Sequence, residues 1–254
     1  GRFTCEELVQ RQQAIGRTLA SLEIDGRRVA RTRQDDPVFH FFLPPGDYSL
    51  FAYGQKIDYT RKTFTVQEGL SELELEPMNL PATKLALLEG LPAPELRDVV
   101  AWKNSSPLKL ADLRGKCVLL EFWGAWCGPC VREMPNLIEV HEQYEGEGLV
   151  IIAVHVDPGN TVDSAAKLDE ILAPIREKHW DGKDLPFPVA LTLEKKGRLA
   201  SDVDAKARCR LLDDYGIRDF PTSVLIDREG KVVGPCFPYY EPHRKLLEKT
   251  LRAK

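Results

Sequence analysis

Two cysteines separated by two residues, Cys127-Gly128-Pro129-Cys130, are the residues of this chain best placed to do chemistry. Disulfide exchange needs a thiolate that attacks and a second thiol near enough to resolve the mixed disulfide. At the start of a helix, a two-residue spacer puts both sulfurs on the first turn. The first then faces the positive end of the helix dipole and several free backbone N–H groups, which favours its thiolate and lowers its pKa below that of a free cysteine. The second, one turn in, is more buried and a poorer nucleophile. Cys127 is therefore expected to attack and Cys130 to resolve. Three other readings of the pair are weaker. Zinc normally takes four ligands, and no second C-x-x-C or H-x-x-x-H accompanies this one. Haem attachment needs His after the second cysteine, where this chain has Val131. A structural disulfide this short closes almost no loop and stabilises little.

The elements that must hold the pair follow from patterning. Cys117 to Trp123 is an apolar strand interrupted by one acid, Glu121, and it leads straight into the motif. Cys130 to Tyr144 has Met134, Leu137, Ile138 and His141 at helical spacing. Pro135 kinks that helix, because a mid-helix proline removes a backbone bond. Leu149 to Val156 is apolar on both faces, as a buried parallel strand should be. Asp163 to Lys178 reads as helix, and Leu185 to Leu191 as an added strand. Ser223–Ile226 and Lys231–Val233 flank an Asp-Arg-Glu-Gly turn as a hairpin. Pro242 to Leu251 closes as a helix. The order predicts an α/β fold, a central mixed sheet flanked by helices, over residues 95–254. Residues 81–94, with Pro81, Gly90, Pro92 and Pro94, read as a linker containing a short helix at 82–89. Residues 1–80 read as a small all-β sandwich, with strands at Val38–Leu43, Tyr48–Tyr53, Lys62–Val66 and Leu73–Leu75, after a helix somewhere in Cys5–Leu19.

Composition bounds the partners. The 254 residues are 43% hydrophobic and 29% charged with a net charge of −4, and carry no basic run. A nucleic-acid or anionic-membrane partner would need a concentrated basic face. No apolar stretch approaches the roughly 20 residues that span a bilayer. The chain opens Gly1-Arg2-Phe3 rather than with Met, which suggests a mature or trimmed chain whose targeting or anchoring segment, if there was one, is gone. Six cysteines are too sparse for a disulfide scaffold. Cys117 and Cys209 read as core thiols, Cys209 on a helical face with Ala205 and Leu212. Cys117 and Cys236 are not expected to pair, and a Cys209–Cys236 bridge stays open. His40, His141, His155, His179 and His243 read as structural or surface residues, and no metal site is expected. No Gly-rich phosphate loop is present, so no cofactor beyond the cysteine pair is expected.

From about Gly90 onward the chain resembles the thioredoxin superfamily, specifically the TlpA/ResA-like thiol-disulfide oxidoreductases of bacterial cell envelopes, with an AhpC/TSA-redoxin-like domain. The resemblance rests on Gly90-Leu91-Pro92-Ala93-Pro94-Glu95-Leu96, Leu110-Ala111-Asp112-Leu113-Arg114-Gly115-Lys116, Trp126-Cys127-Gly128-Pro129-Cys130, Glu133-Met134-Pro135 and Tyr215-Gly216-Ile217-Arg218-Asp219-Phe220-Pro221-Thr222. It implies a thioredoxin-like fold and a redox-active Cys127–Cys130 disulfide. It implies a cis-proline at Pro221, beside Cys127, that offers the Phe220 main chain to an extended substrate. Trp126, Gly128 and Pro129 would complete the docking surface, while Trp123 reads as packing. Glu121 stands where thioredoxins carry a buried acid. Desolvation would raise its pKa and suit it to handle the Cys130 proton. Glu133, one turn beyond Cys130, matches the family's acid as a second candidate. The Gly-Pro spacer suggests a reductant of disulfide-containing proteins, supplied by an upstream dithiol protein. The resemblance implies a cell-envelope or periplasmic setting, with the cytoplasm left open. The alternative enzyme is a thiol peroxidase, but Gly124 and Leu120 stand where that family's Thr and Pro belong. Residues 1–80 resemble carboxypeptidase-regulatory-like or Ig-like modules, through Leu43-Pro44-Pro45-Gly46-Asp47-Tyr48, and read as a non-catalytic docking or binding module.

Overall fold

The computed structural model describes residues 1–34, 37–193 and 209–253. They divide into two units, Gly1–Leu87 and Leu88 onward. The first unit runs β1 (Phe3–Thr4), α1 (Glu6–Gln10), β2 (Thr18–Ile24), β3 (Arg27–Gln34), β4 (Gly46–Gly54), β5 (Thr60–Val66), β6 (Met78–Asn79) and α2 (Lys84–Leu88), which reaches the boundary. Four strands form an antiparallel sheet in the order β3-β2-β4-β5, and β1 and β6 form a separate parallel pair. Alternation does the packing here. Ala20 and Leu22 of β2, and Tyr48, Leu50 and Ala52 of β4, share one core with Phe3, Leu8, Phe39, Met78 and Leu80. The second layer of this small β unit is thus a two-stranded pair plus α1.

Three local expectations change. Val38–Leu43 is not a strand: only Val38 bridges, to Arg2, while Phe39 exchanges backbone bonds with Gly1 and stacks on Phe3. Pro44 and Pro45 follow and bring no N–H for a ladder. Phe42 is fully exposed, so the apolar run is not a buried one. Leu73–Leu75 is irregular and mostly exposed. The helix within Cys5–Leu19 is only the five residues of α1, and Thr18 and Leu19 already belong to β2.

The second unit runs β7 (Val99–Lys103), β8 (Cys117–Trp123), α3 (Gly128–Tyr144), β9 (Leu149–Asp157), α4 (Ala165–His179), β10 (Val189–Leu193), α5 (Arg210–Tyr215), β11 (Thr222–Ile226), β12 (Val232–Pro235) and α6 (His243–Arg252). One sheet takes the order β12-β11-β8-β9-β10-β7. β8, β9 and β10 are parallel, while β11, β12 and β7 run antiparallel to their neighbours. This is the mixed, helix-flanked sheet of a thioredoxin-like fold. β8 lies inside it and is buried at every residue. Its odd positions, Cys117, Leu119 and Trp123, join side chains of α3, α4 and α6 in one core, and Phe122 packs against Tyr215 of α5. Pro135 removes the N–H that would bond Val131 C=O four residues back, and the Trp180 indole Nε1 donates to that carbonyl at 2.8 Å instead.

The edge strand β7 was not foreseen. The added strand begins at Val189 rather than Leu185, because Pro186 and Pro188 cannot donate to a ladder. The helical face proposed through Ala205 lies outside the described residues; Cys209 caps α5.

Candidate redox site

The strand-to-helix passage after β8 sets the two sulfurs. Cys127 is the N-cap of α3 in extended conformation, and its Sγ accepts from Cys130 N–H at 3.3 Å. Sulfur here does what a Ser or Asp oxygen does at an ordinary N-cap. Pro129 occupies the first turn, where an N–H would lack a helical partner anyway. Cys127 and Cys130 are joined as a disulfide with Cα atoms 5.3 Å apart. Cys127 is 6% exposed and Cys130 2%, while Gly128 and Pro129 are exposed between them.

Trp126 stands beside the pair at 52% exposure. Its indole Nε1 donates to Val156 C=O at 2.8 Å. Gly124 leaves room for this: a Cβ there would lie 2.3 Å from Trp126 Nε1. The Phe220 ring meets the Trp126 ring edge-on at 5.4 Å. Phe220-Pro221 is a cis peptide bond immediately before β11. Trp126 and Phe220 thus meet beside the motif, with Pro221 next in the chain after Phe220, and Trp123 is buried as packing.

Glu121 has the parity of Trp123, so it faces the α3 side of the sheet, beneath the helix that carries the cysteines. It is buried and accepts a short hydrogen bond from Ser223 Oγ, its direct partner on β11. Burial pushes the carboxyl up to about 7; the Ser223 hydroxyl opposes this and the Glu133 charge adds to it. Glu133 is half-buried on α3, where it accepts from Tyr240 Oη and Asn136 Nδ2, each at 2.9 Å. Tyr239 is driven well above the usual phenol range by burial and by the charges of Glu121 and Glu133. Among the described residues, no group of three or more His, Cys, Asp or Glu side chains is placed to hold a metal ion.

Four participants were missed. Ser223 and Tyr239 meet Glu121 and Glu133 only through strand pairing and a C-terminal loop, which no local pattern encodes. Tyr240 is likewise remote from Glu133 in sequence. His155, read as structural, touches the redox loop: Ala125 N–H donates to its Nε2 at 3.2 Å. Its one signal was a polar residue inside the apolar run of β9. The other four cysteines, Cys5, Cys117, Cys209 and Cys236, are free and buried, so no Cys209–Cys236 bridge forms. Burial raises the thiols of Cys117 and Cys209, and lifts that of Cys236 to about 12.

Residues 91–234 match the model of the AhpC/TSA family. The chain is 35% identical over 152 residues to the thiol-disulfide oxidoreductase ResA of Bacillus thuringiensis, spanning 60% of this chain and 71% of that one. It is 30% identical over 152 residues to ResA of Bacillus subtilis, spanning 60% and 69%. A solved structure of a thioredoxin-like superfamily protein, SPOA0173, aligns with 64% of this chain and 97% of its own at 25% identity, with a TM-score of 0.48.

Proposed function

We propose that this chain, which belongs to the AhpC/TSA family and is a thiol-disulfide oxidoreductase related to ResA, works in the reducing direction on disulfides of partner proteins. The observation that carries the role assignment is the N-cap geometry. Cys127 sits at the dipole-positive end of α3 with a backbone N–H already on its sulfur, while Cys130 is deeper. In the reduced protein the Cys127 thiolate attacks one sulfur of the substrate disulfide and expels the other as a thiolate. Cys130 then gives its proton to the Glu121 carboxylate and attacks Cys127 Sγ. The mixed disulfide breaks, and the substrate leaves with two electrons from the cysteine pair. A carboxyl held near 7 can both take and return a proton at neutral pH. Glu133, bonded to Tyr240 and Asn136, tunes the site from the helix surface.

Trp126, Gly128, Pro129, Phe220 and Pro221 form the surface on which an extended substrate docks, with the Phe220 main chain available for pairing. No cofactor is required beyond the cysteines, and an upstream dithiol protein resupplies the electrons. The relationship to the envelope oxidoreductases supports a bacterial cell-envelope setting. Among the described residues no helix is long and apolar enough to cross a membrane. Residues 1–80 are a non-catalytic binding or docking module, outside the exchange chemistry.

The test is insulin-disulfide reduction in the full chain. Cys127→Ser should abolish it, and Cys130→Ser should accumulate mixed disulfides with substrate. Full activity in Cys127→Ser would overturn the assignment.

A further inference from the structure

His155 is a buried imidazole that the exchange steps above do not use. It sits near the end of β9, in register with Trp123 of β8, and its ring lies edge-on to that indole at 5.1 Å. Its backbone carbonyl accepts from Thr192 Oγ1 of β10 at 3.1 Å, so the residue is held by both strands that flank β9. Nε2 accepts from Ala125 N–H, and the next carbonyl, Val156 O, accepts from Trp126 Nε1. Two consecutive residues of one strand therefore grip two consecutive residues of the redox loop. Ala125 N–H lies between the end of β8 and the start of α3, outside both backbone ladders, and needs an acceptor from elsewhere. A ring nitrogen that accepts carries no proton, so the imidazole is neutral with its hydrogen on Nδ1. Burial agrees, holding the group down to about 4 against a weaker opposing pull from Asp157. Nδ1 itself finds no partner among the described residues. A ring kept for filling space would be served as well by Leu or Phe, without an unmatched buried nitrogen.

We infer that His155 is a positioning residue for disulfide exchange: by holding Ala125 N–H, its Nε2 fixes the Gly124–Trp126 loop so that Trp126 and the Cys127 sulfur meet an incoming polypeptide disulfide together. This rests on Cys127 being the attacking sulfur. A polypeptide substrate needs both the indole surface and the sulfur. A small aromatic disulfide needs the sulfur alone, so the loop anchor matters to the first and not to the second.

The experiment compares the full chain with His155→Leu, which cannot accept, and His155→Gln, which can. Each reduced protein is assayed with a disulfide-linked peptide and with dithiobis(nitrobenzoate), and Ala125 amide exchange is followed by NMR. In His155→Leu the peptide KM should rise on the order of tenfold with kcat within about twofold. Its rate with the small disulfide should stay within about twofold, and Ala125 should exchange on the order of tenfold faster. His155→Gln should hold the peptide KM within about threefold of the parent. The inference is overturned if His155→Leu keeps the parental KM, if Gln fails as badly as Leu, or if both substrates lose kcat in step with lost thermal stability. Cys127→Ser run alongside separates the two ideas. Activity surviving there removes the attacking-sulfur assignment and this inference with it, whereas failure confined to the His155 variants leaves that assignment standing.

Discussion

Replacing Glu121 by Gln should make the protein more stable at alkaline pH and leave it nearly unchanged in acid. The carboxyl is buried, and its pKa stands at about 7 against an ordinary 4.5. Below pH 4.5 the folded and unfolded chains both hold this proton. As the pH climbs from 4.5 to 7 the unfolded chain releases it and the folded chain does not, so stability falls with rising pH. At about 1.4 kcal/mol per pH unit of separation, the full loss is about 3.5 kcal/mol, reached above pH 7. Gln keeps the shape and an oxygen for Ser223, and has no charge to bury. The variant's advantage should therefore grow from about zero at pH 4 to about 3.5 kcal/mol at pH 8.5. Guanidinium unfolding of the oxidised protein measures it, followed by tryptophan fluorescence. All four tryptophans, Trp102, Trp123, Trp126 and Trp180, lie in the unit beginning at Leu88, so the signal reports that unit alone. His155 has the opposite slope: its folded value of about 4 lies below the ordinary 6.5, so its contribution grows as the pH rises between the two. It is common to both proteins and cancels in the difference. A stability difference that stays flat from pH 4 to 8.5 would refute the reasoning, because the folded carboxyl would then titrate like a free one.

Two further outcomes follow from the geometry. Gly124→Ala puts a Cβ on Trp126 Nε1, so the indole must swing out and lose Val156; acrylamide should quench Trp126 more readily, with a stability loss of about 1–3 kcal/mol, and unchanged quenching would count against the packing described. A chain beginning at residue 88 should keep small-disulfide reduction within about twofold of the full chain, since cysteines, Glu121 and the Phe220-Pro221 turn all lie beyond it; loss of that activity in a folded truncation would show that residues 1–87 take part in the chemistry.

What the sequence made legible was whatever a local pattern encodes. β8, α3 and β9 announced themselves because an apolar run next to an amphipathic repeat has few other ways to fold. Glu121 stood out as a charge inside such a run, and its burial followed from its neighbours. β7 escaped because Val99–Lys103 is short, lies at the sheet edge, and pairs antiparallel with β10, far along the chain. Val38–Leu43 misled for the opposite reason: it buries Phe39, packs Phe41 and Leu43 only partly against the core, and leaves Phe42 in solvent. Ser223 and His155 reach the site by register, opposite Glu121 and Trp123, and register belongs to the assembled sheet.

Six cysteines in one chain would ordinarily offer fifteen possible pairings. Here the fold leaves a single address. Cys5, Cys117, Cys209 and Cys236 are sealed in the interior, and three of them are pushed further toward the unreactive thiol. An oxidant or a stray disulfide meeting the native protein can do business only where turnover happens. Scrambled bridges would have to be made before the chain folds or after it has come apart.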